Sequence, residues 1–234
     1  MPEWSRSIQL VSRDRNRIAI QSDVLGAATL GIGNMICLTG YHQSLMGYPE
    51  SANVYDIDSV QMIAVIQGMN AQQSLLNGEH IEGDFAMTVG AVANPYMRPL
   101  PLNIMKVAKK VQAGATFIQT QAIFDLEPLT EWLDAAKKEG ITDKAAILAG
   151  VMPLESAEEA GKLLSTFTDY VIPDRVVERM RDAGDAAAQK KEGLAICTEI
   201  IAKLKATEGI KGVHILSGGR EAVVPELMTA AGLS

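Results

Sequence analysis

The stretch AMTVGAVANPYMRPLPLNIMKVAKKVQAGATFIQTQ, residues 86–121, decides the fold. Ala86 to Val92 is a short apolar run that reads as a strand, and Asn94-Pro95 ends it. Leu102 to Gln112 spaces its apolar residues as a helix does, with lysines between them, and Gly114 closes this basic amphipathic segment. Ala115-Thr116-Phe117-Ile118-Gln119-Thr120 is again a strand. A strand, a helix and a second strand with no hairpin dipeptide form one parallel crossover unit, right-handed by the sterics of twisted strands.

The same alternation extends in both directions. Upstream lie strands at 7–11 and 35–38, a helix at 15–30 and another capped by Asp58. Downstream lie strands at 145–150 and 213–216. Helices are expected at 129–138, 157–164, 173–183, 186–206 with Asp185 as cap, and 221–231. The strands read as apolar on both faces, as in a sheet covered on both sides. Six βα units are visible. An open doubly wound sheet can stop at six, whereas a (β/α)8 barrel needs eight to close its ring. Periodicity alone slightly favours the open sheet, which needs no missing part.

The chain has 234 residues, 47% hydrophobic and 21% charged, which excludes disordered and collagen-like classes and fits one domain over 1–234. A net charge of −7 argues against general nucleic-acid binding. No apolar run reaches the roughly 20 residues of a membrane span, and residues 1–6 have no apolar signal core. Two cysteines make no disulfide framework, so a cytoplasmic protein is expected. His42, His80 and His214 show no ligand spacing, and no metal site is expected.

Ligands of parallel α/β proteins sit beyond the C-terminal strand ends. Those ends carry 12–17, 39–42, 94–96, 121–125, 152–153 and 217–221, rich in amides, hydroxyls and arginines. Such a set suits a large polar cofactor better than acid–base hydrolysis. Each member also has a plain structural reading. Arg13, Arg15 and Arg17 beside Asp14 read as a solvated helix start, and Lys109-Lys110 as a water-facing pair. Thr39-Gly40 and Gly218-Gly219 read as turns, although the latter precedes a helix that can face an anion. Cys37 and Cys197 read as small core residues. Gln121, directly after a strand, both donates and accepts, which suits the edge of a pterin or flavin ring.

Taken in order, the motifs resemble methylenetetrahydrofolate reductases, flavoenzymes built on a (β/α)8 barrel, and most closely the short enzymes of anaerobic one-carbon pathways. The likeness runs through 13–17 and 25–28, 37–40, 54–61, 93–95, 110–115, 119–125, 212–215 and 223–227, nearly the whole chain. It implies an α/β, TIM-type barrel that is incomplete. The first strand here aligns with the family's third, so two βα units are missing.

The resemblance implies flavin contacts at Thr39, Gly40, Tyr55, Asn94, Arg98, Asn103, Lys109 and Lys110, the lysines serving the anionic end of FAD or FMN. It implies folate contacts at Gln121, Glu159, Leu163 and Arg220. NAD(P)H or a partner flavoprotein would reduce the flavin, and hydride would pass to the methylene group of the folate. The family's general-acid glutamate lies in the missing part, and its Thr-Gly-Asp becomes Thr39-Gly40-Tyr41, so no catalytic acid is assigned. A general acid contributes about 10²–10⁴-fold, so the lone chain is expected to be slow or inactive. A homo-oligomer, or a second polypeptide that completes the barrel, is expected to cover the open strand edges. The alternatives are a non-catalytic flavin- or folate-binding subunit, or degenerate homologue, of a one-carbon complex, and a phosphate-ligand enzyme using Gly218-Gly219 and Lys110.

Overall fold

The computed structural model describes residues 6–45 and 47–233. Residues 1–5, which carry most of the stretch read for a signal core, lie outside the described residues. The elements are β1 (Ser7–Val11), α1 (Arg17–Thr29), β2 (Asn34–Leu38), α2 (Ser59–Gln72), β3 (Thr88–Ala93), α3 (Leu100–Gln112) and β4 (Phe117–Ala122). They continue with α4 (Leu126–Lys138), β5 (Ala146–Val151), α5 (Ala157–Thr166), α6 (Asp174–Asp182), α7 (Ala186–Lys205), β6 (Ile210–Ile215) and α8 (Val223–Ala230).

The six strands follow the order β1-β2-β3-β4-β5-β6, and the β1–β2, β2–β3 and β5–β6 pairs are parallel. A doubly wound sheet reverses its strand order at a switch point, whereas a barrel wall runs in simple sequence. The observed order is the sequential kind, with β1 and β6 at its two ends. It overturns the doubly wound sheet that periodicity alone favoured.

The chain divides into two compact units. The first runs up to Val92 and includes Lys106–Ile118. Here the register sets Leu10 beside Cys37 and Cys37 beside Ala91, three buried residues on one face. Asn16 caps α1 by accepting from the amides of Ile18 and Ala19. Asp58 and Gln61 form a reciprocal capping box on α2. Asn70 and Gln73, late in α2 and just beyond it, each pair through both amide atoms with backbone, at Met87 and Phe85 respectively, and so aim the entry to β3. Gly90 on β3 is bare because a Cβ there would lie 2.3 Å from the ring of Phe117.

The second unit comprises Ala93–Met105 and the chain from Gln119 onward. Asp125 caps α4, which buries Leu129, Trp132, Leu133 and Ala136. Asp185 caps α7 through the amide of Ala188, as the sequence predicts. α7 approaches the segment after β5 so closely that a Cβ at Gly193 would lie 1.8 Å from the Leu154 carbonyl oxygen.

β2, β3 and β5 bury consecutive residues, Met35–Cys37, Val89–Ala91 and Ala149–Val151, and so are closed on both faces as their sequences predict, whereas β1 and β4 are not. On β4, Ile118, Thr120 and Ala122 are buried while Phe117, Gln119 and Gln121 are half-buried, and on β1 Gln9 is exposed beside buried Leu10. On β4 one face is closed by apolar packing, and the other carries Gln119 and Gln121, which keep contact with water. No helix among the described residues is long and apolar enough to cross a membrane.

Candidate functional site

In the second unit a polar network gathers at the C-terminal end of β4. That strand runs two residues further than its apolar run suggests, so Gln121 lies within it rather than after it. The Gln121 carboxamide donates from Nε2 to Asp169 Oδ2 at 2.8 Å and accepts at Oε1 from the Ala122 amide at 3.0 Å. Asp169 lies on the segment after α5, and its carbonyl accepts from Asn94 Nδ2 at 2.7 Å. The Asn94 carbonyl in turn accepts from Asn103 Nδ2 at 2.7 Å, and the same nitrogen reaches Met97 O at 3.1 Å. Tyr96 Oη donates to Asp125 O and accepts from the amides of Phe124 and Asp125, and burial raises its pKa.

Below Gln121, the buried Thr120 hydroxyl accepts from the Gly150 amide and donates to Gln121 O, both at 2.8 Å. His214 on β6 is in register with Gly150, and burial pushes its pKa down, toward the neutral ring.

A second cluster surrounds Arg220. Its guanidinium bonds Glu159 Oε1 at 2.5 Å, Pro153 O at 3.0 Å and Ser217 O at 3.1 Å. Glu159 also accepts from the Glu155 amide at 2.7 Å. Leu163 follows Glu159 by one turn on α5 and is half-buried. A cavity of about 310 Å³ adjoins the cluster, lined by Pro153, Leu154, Glu155, Lys190 and Arg220 among others. Arg98 pairs instead with Glu131 at 2.6 Å on the exposed side of α4.

In the first unit the ends of β1 and β2 are tied together by Arg13. Far from being a solvated helix start, this residue is only 8% exposed. Its guanidinium makes a two-pronged pair with Asp14 at 2.7 and 2.6 Å and bonds Tyr41 O at 2.9 Å. Its backbone amide bonds Thr39 O, and its carbonyl accepts from Val54 and Tyr55. A buried cation is retained because every prong has a partner. The neighbouring charges misled the sequence reading, which cannot see that the chain returns over Arg13 at 39–41 and 54–55.

Thr39 Oγ1 lies 3.1 Å from both Ser59 Oγ and the Ser59 amide, tying the strand end to the first turn of α2. Gly40 has φ +90, a conformation that favours glycine, and a Cβ there would also lie 2.4 Å from Val11 Cγ1. Tyr55 adopts a left-handed φ of 44, and both Tyr41 and Tyr55 expose 40% of their surface.

On α3, Lys109 is exposed but Lys110 does not face water. Its Nζ donates to Val92 O at 2.6 Å, and burial pushes its pKa down. Helical spacing places the two lysines about 100° apart, enough to send one in and one out. Burial pushes the Cys37 thiol up to about 12, opposed only in part by the charge of Lys110.

The structure therefore joins Asn94, Asn103 and Gln121 in one network and Glu159 with Arg220 in another. Thr39, Gly40 and Tyr55 surround Arg13. The residues that sequence reasoning missed are Arg13 and Asp169. No local motif marks Asp169, and only the return of the chain after α5 brings it to Gln121. A flavin nucleotide presents phosphate, hydroxyl and lactam groups; the Lys109 and Lys110 ammonium groups and the Thr39 hydroxyl of the first unit, and the Arg98 guanidinium and the Asn94 and Asn103 amides of the second, are each donors that fit such groups in kind. Most of them are bonded to the chain in this structure, so a bound nucleotide would exchange those bonds. Among the described residues no three His, Cys, Asp or Glu side chains are grouped to hold a metal.

Comparison with known proteins gives a consistent result. The family model for methylenetetrahydrofolate reductase matches residues 5–232. A probable methylenetetrahydrofolate reductase (NADPH) of Caenorhabditis elegans is 24% identical over 143 residues, 61% of this chain and 21% of that protein. The 5,10-methylenetetrahydrofolate reductase of Escherichia coli K12 is 26% identical over 140 residues, 58% of this chain and 46% of that protein. The match thus spans less than half of either relative. A Clostridium thermocellum protein solved with two copies of 5-methyl-5,6,7,8-tetrahydrofolic acid superposes with a TM-score of 0.49 at 12% identity, over 98% of this chain and 94% of that one. At that score the likeness bears on neither ligand nor reaction.

Proposed function

Because this chain belongs to the methylenetetrahydrofolate reductase family, we propose that it binds a flavin and a reduced folate and serves the conversion of 5,10-methylenetetrahydrofolate to 5-methyltetrahydrofolate. The observation that carries this reading is the family match over nearly the whole chain, together with a Gln121 amide held in a polar network at a strand end. The flavin, FAD or FMN, supplies the hydride when bound, after reduction by NAD(P)H or a partner flavoprotein. In this reaction hydride adds to the methylene carbon, the bond from that carbon to N10 breaks, and N10 takes a proton.

The chain's own residues bind and orient. Lys109, Lys110 and Arg98 offer positive charge to the nucleotide's phosphate, and Thr39, Gly40, Tyr55, Asn94 and Asn103 complete the flavin set. Gln121 meets the pterin, and Leu163, Glu159 and Arg220 meet the rest of the folate. Association with a further copy or a second polypeptide belongs to the same reading, and a monodisperse, thermally robust monomer in scattering counts against it.

A second reading, binding without turnover, is favoured by Tyr41. A phenol stands where the family resemblance places a carboxylate, and it cannot supply the same charge. One anaerobic experiment separates the two. The protein is purified, its flavin is reduced and bleached, and 5,10-methylenetetrahydrofolate is added. Reoxidation with formation of 5-methyltetrahydrofolate supports the reductase reading, whereas binding of folate with no colour return supports the second. A protein that takes up neither flavin nor folate refutes both.

A further inference from the structure

We propose that Asp169 is a positioning residue that locks the Gln121 carboxamide in one of its two orientations, so that it can read the lactam edge of a pterin. A carboxamide can be turned by 180°, exchanging its donor and acceptor ends, and only its surroundings decide which orientation holds. Here they decide strongly. Nε2 faces the Asp169 carboxylate at 2.8 Å, and Oε1 faces the Ala122 N–H at 3.0 Å. Turning the amide over would set oxygen against carboxylate and N–H against N–H, replacing two attractions with two repulsions.

The lock is itself held. Asn94 Nδ2 grips the Asp169 carbonyl at 2.7 Å, and Asn103 Nδ2 grips the Asn94 carbonyl at 2.7 Å. The rings of Phe167 and Tyr170, on either side of Asp169, lie 5.9 Å apart at a tilt and pack the segment further. The carboxylate therefore presents one fixed acceptor to Gln121.

With one N–H given to Asp169 and one lone pair given to Ala122, the amide retains one N–H and one lone pair. That pair complements a cyclic amide, whose C=O accepts and whose N–H donates, and Gln121 is half-buried and so within reach of a ligand. Pterins and isoalloxazines share this edge. The assignment to pterin rests on the folate reading given above.

The test is calorimetric titration of the full chain with 5-methyltetrahydrofolate, beside a flavin titration as the second arm. Asp169→Ala frees the Gln121 side chain, which must then be immobilised at binding. Ordering one such side chain costs about 0.5–1.5 kcal/mol, so folate affinity is expected to fall by about 2- to 10-fold. Flavin affinity stays unchanged. Asp169→Asn keeps an acceptor for Nε2 and recovers most of the loss. In a Gln121→Ala background, Asp169→Ala causes no further loss, because nothing remains to be locked.

An equal loss in that background, no recovery with Asn, or a loss confined to flavin overturns the proposal while leaving the folate reading intact. A wild-type chain that binds no folate overturns both. Should Asp169→Ala fail to fold, nitrogen-15 spectra of the wild type decide, with the Gln121 amide signal identified by its absence in Gln121→Ala. Slow solvent exchange of the Gln121 side-chain amide protons together with a rigid side-chain nitrogen-15 order parameter supports the lock, and the fast exchange and low order parameter of a mobile side chain refute it.

Discussion

Thr120→Val removes a single oxygen from the floor of the candidate site, and its cost can be worked from the structure. Thr120 is 3% exposed, and its hydroxyl is the acceptor for the buried Gly150 amide at 2.8 Å. Valine has the same shape, so no cavity opens, but it leaves the Gly150 N–H without that acceptor in a place closed to water. Such an orphaned donor costs about 1–3 kcal/mol. The methyl that replaces the hydroxyl returns at most about 0.8 kcal/mol of burial. A net loss of about 0.2–3 kcal/mol lowers Tm by up to about 12 °C in a chain of this length.

Thr120→Ser is the matched control, since it keeps both hydrogen bonds and loses only a methyl, about 1 kcal/mol. Thermal unfolding monitored by circular dichroism measures both variants, and amide exchange at Gly150 locates the effect. Exchange at that amide should accelerate in the valine variant beyond the global change and remain native-like in the serine variant. A valine variant as stable as the wild type, with a protected Gly150 amide, would refute the reasoning.

Three further outcomes are expected. Gly193→Ala places a Cβ where the Leu154 carbonyl oxygen stands 1.8 Å away, so α7 or the 153–155 segment must move. Overpacking of this kind costs about 1–3 kcal/mol or more, read as a lowered Tm. Asp56 accepts two bonds from the Arg17 guanidinium and one from its backbone amide, which hold its carboxyl down to about 2. A depressed carboxyl stabilises above its unfolded pKa of about 3.9 and loses that contribution as pH falls toward 2. The stability gap between wild type and Arg17→Met should therefore narrow between pH 5 and pH 2, and a gap independent of pH speaks against the pair. Burial pushes both Cys37 and Cys197 up to about 12. A thiol reagent at pH 8 should thus modify neither in the folded protein and both in denaturant, as counted by mass spectrometry.

Local chemistry made much of this legible in advance. Asp58 and Asp185 stand as helix caps where their short acceptor side chains precede apolar periodicity, and both make the expected bonds. Parallel units could be read from strand and helix periods because those periods are properties of the backbone. Strand limits were less secure. β4 begins and ends two residues later than its apolar run suggests, since Gln119 and Gln121 remain in the strand while facing a half-open surface.

Sequence by itself determined which segments are strands and which are helices, because dihedral preference, capping and hydrophobic period act within a few residues. Tertiary structure alone decided which polar groups meet, and it bore out the sequential, barrel-type strand order that the family resemblance implied over the open sheet that periodicity favoured. Arg13 is buried because 39–41 and 54–55 fold back over it, and Asp169 reaches Gln121 because Asn94 draws the segment after α5 toward the end of β3. Such meetings join residues tens of positions apart, and a hydrogen bond depends on ångström placement that no local pattern encodes.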